Sequence, residues 1–303
     1  MRHLLDTTEF NRDELHALIA LGREMKANPE AFRTGLAGKN IVTLFEKQSL
    51  RTRVTFDIGI NRLGGHAVYL DQQNGAMGQR ETVKDFAGNL SRWCDGIVAR
   101  VYDHKTLLEL REHASVPVVN SLCNLYHPCQ AMADFMTIAE NYDDLTKVKL
   151  AYLGDGNNVA NSLLITGAIL GTDVTVVAPK GYGPDAQIFN VAAELAKKSG
   201  ATLSVTDRCA DIKGFDVAYT DTWISMGDTT PMDAVKGKFM PYQINQQLLD
   251  DTGIKHVLHC QPAHRELEIT SEVMDGPASL ILDEAENRMH IQNAILYTLI
   301  RQA

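Results

Sequence analysis

Short apolar runs, each followed by an amphipathic stretch, recur from one end of this chain to the other. Lys39–Phe45 (KNIVTLF), His66–Leu70, Gly96–Val101 and Val116–Asn120 read as strands in the first half. Val148–Leu153, Asp173–Ala178, Thr202–Val205, Asp216–Tyr219, His256–His259 and Ser279–Leu282 read as strands in the second. Runs that are apolar at successive positions suit strands buried on both faces, as in parallel sheets covered by helices. Helical periodicity fills the intervals. Asp13–Lys26 puts Leu15, Leu18, Ile19 and Met25 on one face, and Glu81–Cys94 turns Val83, Phe86, Leu90 and Trp93 inward. Thr52–Leu63, His127–Asn141, Val159–Leu170, Ala186–Lys198 and Glu286–Arg301 are further helices. Alternation of this kind places the chain in the α/β class.

With 303 residues the chain is long for one compact body and comfortable for two of about 150 each. The expected architecture is two doubly wound domains, each a mainly parallel sheet flanked by helices, joined by long helices. The boundary is expected near residues 132–146, a long helix followed by the polar stretch Tyr142–Lys147, with residues 1–131 in the first domain and 132–285 in the second. Two stretches read as loops, Pro179–Pro184 and the longer Gly227–Tyr242, and a long loop beside a strand end is a common place for function.

Several function classes drop out. A net charge of −9 argues against a general nucleic-acid or anionic-membrane surface, which needs clustered positive charge. The N-terminal residues carry no apolar core of signal-peptide length, and no run approaches the roughly 18 apolar residues of a spanning helix. Cys94, Cys123, Cys129, Cys209 and Cys260 are odd in number and show neither CxxC nor Cys/His metal spacing. A cytoplasmic chain with reduced thiols and no metal is the expectation.

Three constellations carry chemistry. In the first, Phe45–Arg53 (FEKQSLRTR) ends a strand and opens a helix. Helix N-terminal N–H groups favour anions, hydroxyls of Ser49 and Thr52 add neutral donors, and Arg51 and Arg53 offer forked cations. A capped helix with solvated arginines is the plainer alternative. In the second, Arg100 ends a strand, where open α/β sheets place their ligands. His127 and Gln130 stand three apart at a helix start, and Pro128 fits the first helical position. An ion pair and a simple cap compete with function here. The third lies in the second half. GDGNN at Gly154–Asn158 invites a dinucleotide reading, but Val159 takes the third glycine position and no acidic residue ends the next strand, so NAD is set aside. Asp221, Ser225 and Met226 follow the strand DVAYT, and His259-Cys260-Gln261-Pro262 follows KHVLH. An isolated Cys at a strand end is more often core than catalytic.

Taken in order, FEKxSxRTR, LGGHAVYLD, the strand-end Arg100, HPxQ at 127–130, DxxxSMG at 221–227, HCQPAHR at 259–265 and DEAENRMHIQNAIL at 283–296 resemble the aspartate/ornithine transcarbamoylase family over essentially the whole chain. The SMG loop and the HCxP cysteine resemble the ornithine-acting branch. The resemblance implies transfer of a carbamoyl group from carbamoyl phosphate to the δ-amine of ornithine, giving citrulline and phosphate. It implies a place in arginine metabolism and no metal or organic cofactor. Attack on carbamoyl phosphate builds negative charge on the carbonyl oxygen and on the leaving phosphate, so donors aimed at both lower the barrier.

The resemblance also divides the roles. Ser49, Arg51 and Arg100 go to the phosphate, with the backbone of Leu50, where the family has Thr. Arg100, His127 and Thr52 go to the carbonyl oxygen, and Gln130 to the carbamoyl NH2. Arg288 adds a basic contact to carbamoyl phosphate from a closing helix, 286–303, that packs back on the first half. Asn158 holds the α-amino-acid end of ornithine, Asp221 its ammonium, and Ser225 and Met226 add contacts. Cys260 lies near both the δ-amine and the carbamoyl group, and Gln261, where the family has Leu, serves through its main chain. Cys260, Arg100 and His127 form the catalytic set. A shared cleft closed by the 227–242 loop and a homotrimer or multiple of trimers are implied. Ala76 replaces the Gln that reaches a neighbouring subunit, with Gln79 as a substitute. Acetylornithine or putrescine as acceptor, or an inactive binding protein on the same fold, are the alternatives.

Overall fold

The computed structural model describes residues 1–71, 77–78, 81–224 and 230–301. The chain divides into two compact units: Met1–Met136 with Glu286–Ala303, and Thr137–Ala285.

The first unit holds α1 (Arg12–Ala27), β1 (Asn40–Phe45), α2 (Leu50–Arg62), β2 (His66–Asp71), α3 (Val83–Trp93), β3 (Gly96–Arg100), α4 (His104–His113), β4 (Val118–Leu122) and the start of α5 (Pro128–Asn141). Its four strands are parallel in the order β2-β1-β3-β4. β3 is buried along its whole length, as its unbroken apolar run requires. The chain runs from β1 outward to β2, then returns past β1 to β3. The direction of winding therefore reverses between β1 and β3, whose last residues, Phe45 and Arg100, are paired. Connections leaving such neighbours diverge and open a crevice at their carboxyl ends.

The second unit repeats this logic. It holds β5 (Lys149–Leu153), α6 (Asn158–Leu170), β6 (Asp173–Val177), α7 (Ala186–Ser199), β7 (Leu203–Thr206), β8 (Val217–Thr220), α8 (Met232–Phe239), α9 (Gln246–Thr252), β9 (His256–His259), α10 (Ser271–Met274) and the start of α11 (Ile281–Arg301). Five parallel strands run β7-β6-β5-β8-β9. Here winding reverses between β5 and β8, whose ends pair through Leu153 and Thr220. α6 is buried all round, so its sequence is apolar without a polar stripe. Two parallel sheets flanked by helices are the α/β architecture that the alternation of runs implies.

Three local expectations are corrected, and one helix was not anticipated. Trp93 does not face inward: it is 70% exposed, because α3 ends there and Cys94 takes the core position after it. Ser279–Leu282 is not a strand. Ser279 makes one isolated bridge to Val257, and Ile281 already opens α11, packing into the core of the second unit. The stretch 230–242 is not a plain loop, since α8 runs through it and buries Val235 and Phe239 against Trp223. Its Gly and Pro content hid two apolar positions four apart. The connection between β3 and β4 is α4, whose only buried residues, Leu107 and Leu110, are too few to stand out among charged neighbours. Among the described residues, no helix is long and apolar enough to cross a membrane.

Candidate functional site

The reversal point of the first unit carries donors. Ser49 is extended (φ −161°) and caps α2, its hydroxyl accepting the Thr52 N–H at 3.3 Å. Thr52 is fully buried, and its Oγ1 is a meeting point. Ser49 Oγ lies 3.1 Å from it, Arg288 Nη2 donates at 2.7 Å, and Arg100 Nη1 approaches to 3.5 Å. Arg100 is steadied by donating Nε–H to the Lys47 carbonyl at 3.1 Å. Two guanidiniums and a hydroxyl thus converge on one oxygen at the start of α2. Both arginines are nearly fully buried. Buried cations beside a helix N-terminus, whose dipole adds positive potential, favour a compact anion.

His127 stands just before α5 and is buried. Burial, then the charges of Arg288, Arg100 and Lys47, holds its pKa well below the usual histidine range. Its imidazole is therefore neutral near pH 7 and serves as a hydrogen-bonding group, not a cation. Gln130, one turn on, donates its amide to Asp134 at 2.7 Å, which fixes the side chain. The structure thus links Ser49, Thr52, Arg100 and Arg288 directly, and places His127 within reach of the charges of two of them. Leu50 is apart: its side chain is 75% exposed, so only its main chain at the first turn of α2 remains to serve an anion. Lys47 had no assigned role in the sequence. Its position two residues before the capping Ser was the available signal.

The reversal point of the second unit carries acceptors and a thiol. Asp221 follows β8 directly and is buried. Its Oδ1 accepts the Thr222 N–H at 2.8 Å and the Cys260 thiol at 3.1 Å, while its Oδ2 accepts Asn157 Nδ2–H at 2.9 Å. Asn157 also caps α6, its Oδ1 accepting from Val159 and Ala160. Asn158, the residue singled out in the sequence, opens α6 next to it, and the Asn157 amide that reaches Asp221 is a contact the sequence did not signal. Tyr152 donates to the Asp155 carbonyl at 2.8 Å, and burial, reinforced by Asp221, Asp155 and Cys260, keeps it a neutral phenol. The glycines of GDGNN have an internal purpose. A Cβ on Gly156 would meet the Gly183–Pro184 backbone at 2.3 Å, so two loops approach more closely than any side chain permits. Ser225 and Met226, and likewise Ala76 and Gln79, lie outside the described residues.

Asp221, His259 and Cys260 bring ligand atoms within 4.8 Å of one another, a spacing that a metal ion can use. The Cys260 thiol proton is given to Asp221 within the trio, and His259 is engaged outside it. His259 Nδ1 lies 2.9 Å from the Gln261 N–H and Nε2 lies 3.2 Å from Glu268, so both ring nitrogens already have hydrogen-bond partners. The trio does not fit a metal in this arrangement.

Comparison with known proteins assigns each half of the chain. Residues 2–140 match the family model described as aspartate/ornithine carbamoyltransferase, carbamoyl-P binding domain. Residues 146–299 match its partner, aspartate/ornithine carbamoyltransferase, Asp/Orn binding domain. An ornithine carbamoyltransferase of Moritella profunda is 66% identical over 301 residues, covering 99% of this chain and 100% of that protein. One from Shewanella oneidensis is 55% identical over 299 residues, covering 99% of each. Among solved structures, ornithine carbamoyltransferase from Pyrococcus furiosus superposes with a TM-score of 0.96 at 40% identity, covering 100% of this chain and 98% of that one. This chain belongs to the aspartate/ornithine carbamoyltransferase family.

Proposed function

We propose that this chain is an ornithine carbamoyltransferase, moving the carbamoyl group of carbamoyl phosphate to the δ-amine of L-ornithine with release of L-citrulline and phosphate. The observation that carries the reading is the contrast of the two reversal points. One gathers Arg100, Arg288, Ser49 and Thr52; the other sets the Asp221 carboxylate against the Cys260 thiol. A phosphorylated carbonyl compound suits the first and an alkyl ammonium the second. Relatives of this length and identity carry the same activity in their names.

In this reading Ser49, the backbone of Leu50, Arg51 and Arg100 hold the phosphate, with Arg288. Thr52, Arg100 and the neutral His127 stabilise the carbonyl oxygen as charge develops, each such donor typically contributing about 3 kcal/mol. Gln130 holds the carbamoyl NH2. Asn158 takes the α-amino-acid end of ornithine, Asp221 the ammonium, and Ser225 and Met226 further contacts. Cys260, beside Asp221, receives the amine, and with the Gln261 main chain it also contacts the carbamoyl group. The nucleophile is the neutral amine, whereas a free alkyl amine has a pKa of about 10. Turnover therefore rises with pH above 7. A homotrimer or multiple of trimers and a cytoplasmic location complete the proposal. In support, α2 exposes Leu50, Val54 and Ile58 one turn apart, an apolar line beside the edge strand β2 that suits cover by another copy, and all five cysteines are free thiols.

The test is an acceptor panel with carbamoyl phosphate and the purified chain: ornithine, acetylornithine, putrescine, aspartate and lysine. Citrulline from ornithine at a kcat/KM far above the others is expected. Equal or faster turnover of another acceptor, or none of any, overturns the assignment.

A further inference from the structure

Glu268 is fully buried, yet no role has been given to it. Its Oε1 accepts the His264 N–H at 2.5 Å and lies 3.2 Å from Nε2 of the buried His259. On the opposite side of that ring, Nδ1 faces the Gln261 N–H at 2.9 Å. A backbone N–H only donates, so Nδ1 is the bare nitrogen and the ring proton sits on Nε2, the atom aimed at Glu268. The His259 backbone N–H is itself held by Glu284 Oε2 at 2.8 Å. Cys260 is thus clamped from both neighbours. Gln261 adopts φ +57°, a left-handed conformation uncommon for a residue with a Cβ, and the His259 ring grips the N–H of that residue. The result is the Cys260 thiol 3.1 Å from Asp221 Oδ1.

We propose that Glu268 is a positioning residue for Cys260: it fixes the tautomer of His259, and His259 in turn holds the Cys260–Gln261 turn so that the thiol meets Asp221. This rests on the reading that Asp221 and Cys260 receive the acceptor amine. What the site needs from Glu268 is an acceptor oxygen at one place. The carboxamide of Gln offers that oxygen to both donors, and Ala offers none. Glu268→Ala is therefore expected to lower kcat about 10- to 100-fold, the usual effect of displacing a reacting group by about 1 Å. Its affinity for carbamoyl phosphate, measured by calorimetry, stays within about twofold of the parent, and Glu268→Gln restores kcat to within about threefold.

Normal kcat in Glu268→Ala overturns the proposal. So does a Glu268→Gln chain as slow as Glu268→Ala, since charge and not orientation would then be the requirement. A second measurement reads the parent chain itself. In the parent chain labelled with ¹⁵N-histidine, the ring nitrogens of His259, identified by the signals missing from His259→Asn, are expected to report the Nε2–H tautomer. The Nδ1–H tautomer or averaging between the two overturns the proposal. Because that readout involves no turnover, it stands whether or not ornithine proves to be the acceptor, and the acceptor panel fails or succeeds independently of it.

Discussion

The two units wind in the same way and differ in what they place at the same topological point. In each, an end of a central strand pairs with the end of the neighbour across which winding reverses: Phe45 with Arg100 in the first, Leu153 with Thr220 in the second. In each, a capped helix starts in the crevice, with Ser49 before α2 and Asn157 before α6. The second partner strand then supplies the charge, Arg100 from β3 in one case and Asp221 after β8 in the other. Topology thus selects the location, and a single strand-end residue sets the sign of the local charge. Arg288 reinforces the first choice from far along the chain, 236 residues after Thr52, whereas the second is reinforced locally by Asn157 and Cys260.

That division of labour makes opposite demands on two substitutions, which carry the largest expected effects. Arg288→Met removes the closest cation on Thr52 and is expected to lower kcat/KM roughly 10²- to 10³-fold, with carbamoyl phosphate binding weakened in calorimetry. Asp221→Asn keeps the shape of the second site and removes its charge. It is expected to lower kcat/KM for ornithine by about 10²-fold while carbamoyl phosphate still binds as in the parent chain. Loss of carbamoyl phosphate affinity in Asp221→Asn as severe as in Arg288→Met would show that the two reversal points do not act on separate ligands.

Much of this contrast was legible in the letters because both sites sit where a strand ends and a helix begins. FEKQSLRTR shows a strand's end, a cap and cations in nine consecutive residues, and the structure joins its Ser49 and Thr52 as that order suggests. The hidden parts depend on contacts that no local pattern encodes. Thr52 as the hub is one, since its donors come from β3 and from α11. Asn157 as the neighbour of Asp221 is another. Either Asn of GDGNN can cap a helix, and only the exit angle of the loop decides which side chain turns to β8. Glu268 sits in a polar run, HRELEIT, whose look is that of an exposed turn, and its complete burial arises from the turn that carries Cys260. The misreadings of 230–242 and of Trp93 have the same origin. Composition reports average exposure, while burial at a helix end is decided by where the helix stops.

Protonation sharpens the comparison at an intermediate scale. Burial lowers the pKa of His3, His104, His127 and His290, all in the first unit, and of His256 in the second. A histidine whose folded pKa lies below its unfolded value of about 6.5 binds fewer protons when folded. Its stabilisation is complete above pH 6.5 and is lost as pH falls below it. For His127, fully buried, the loss approaches about 1.4 kcal/mol per pH unit. The first unit is therefore expected to loosen before the second on acidification. Hydrogen exchange followed by mass spectrometry from pH 7.5 to 5.5, corrected for intrinsic rates, checks this: peptides of β1, β3 and β4 should lose protection while those of β5 and β8 hold. The reverse order would mean that the carboxylates of the second unit, not the histidines of the first, govern acid stability.

The smallest expected effect separates the two jobs of a single cap. Asn157 accepts from the α6 N–H groups with Oδ1 and donates to Asp221 with Nδ2. Asn157→Asp preserves the first function, because Asp is as good a helix cap as Asn and its charge suits a helix N-terminus. It reverses the second, placing a carboxylate against Asp221 where an amide donor stood. Thermal stability is expected to fall by about 1 to 3 kcal/mol through the lost donor and the facing carboxylates, not through the cap, while KM for ornithine moves by about tenfold, equivalent to about 1.4 kcal/mol. The matching change in the first unit, Ser49→Ala, removes the cap and an anion donor together, so stability and carbamoyl phosphate affinity should fall in step. If Asn157→Asp left ornithine kinetics untouched, the hydrogen bond to Asp221 would be scaffolding alone, and the likeness between the two capped helices would end at their geometry.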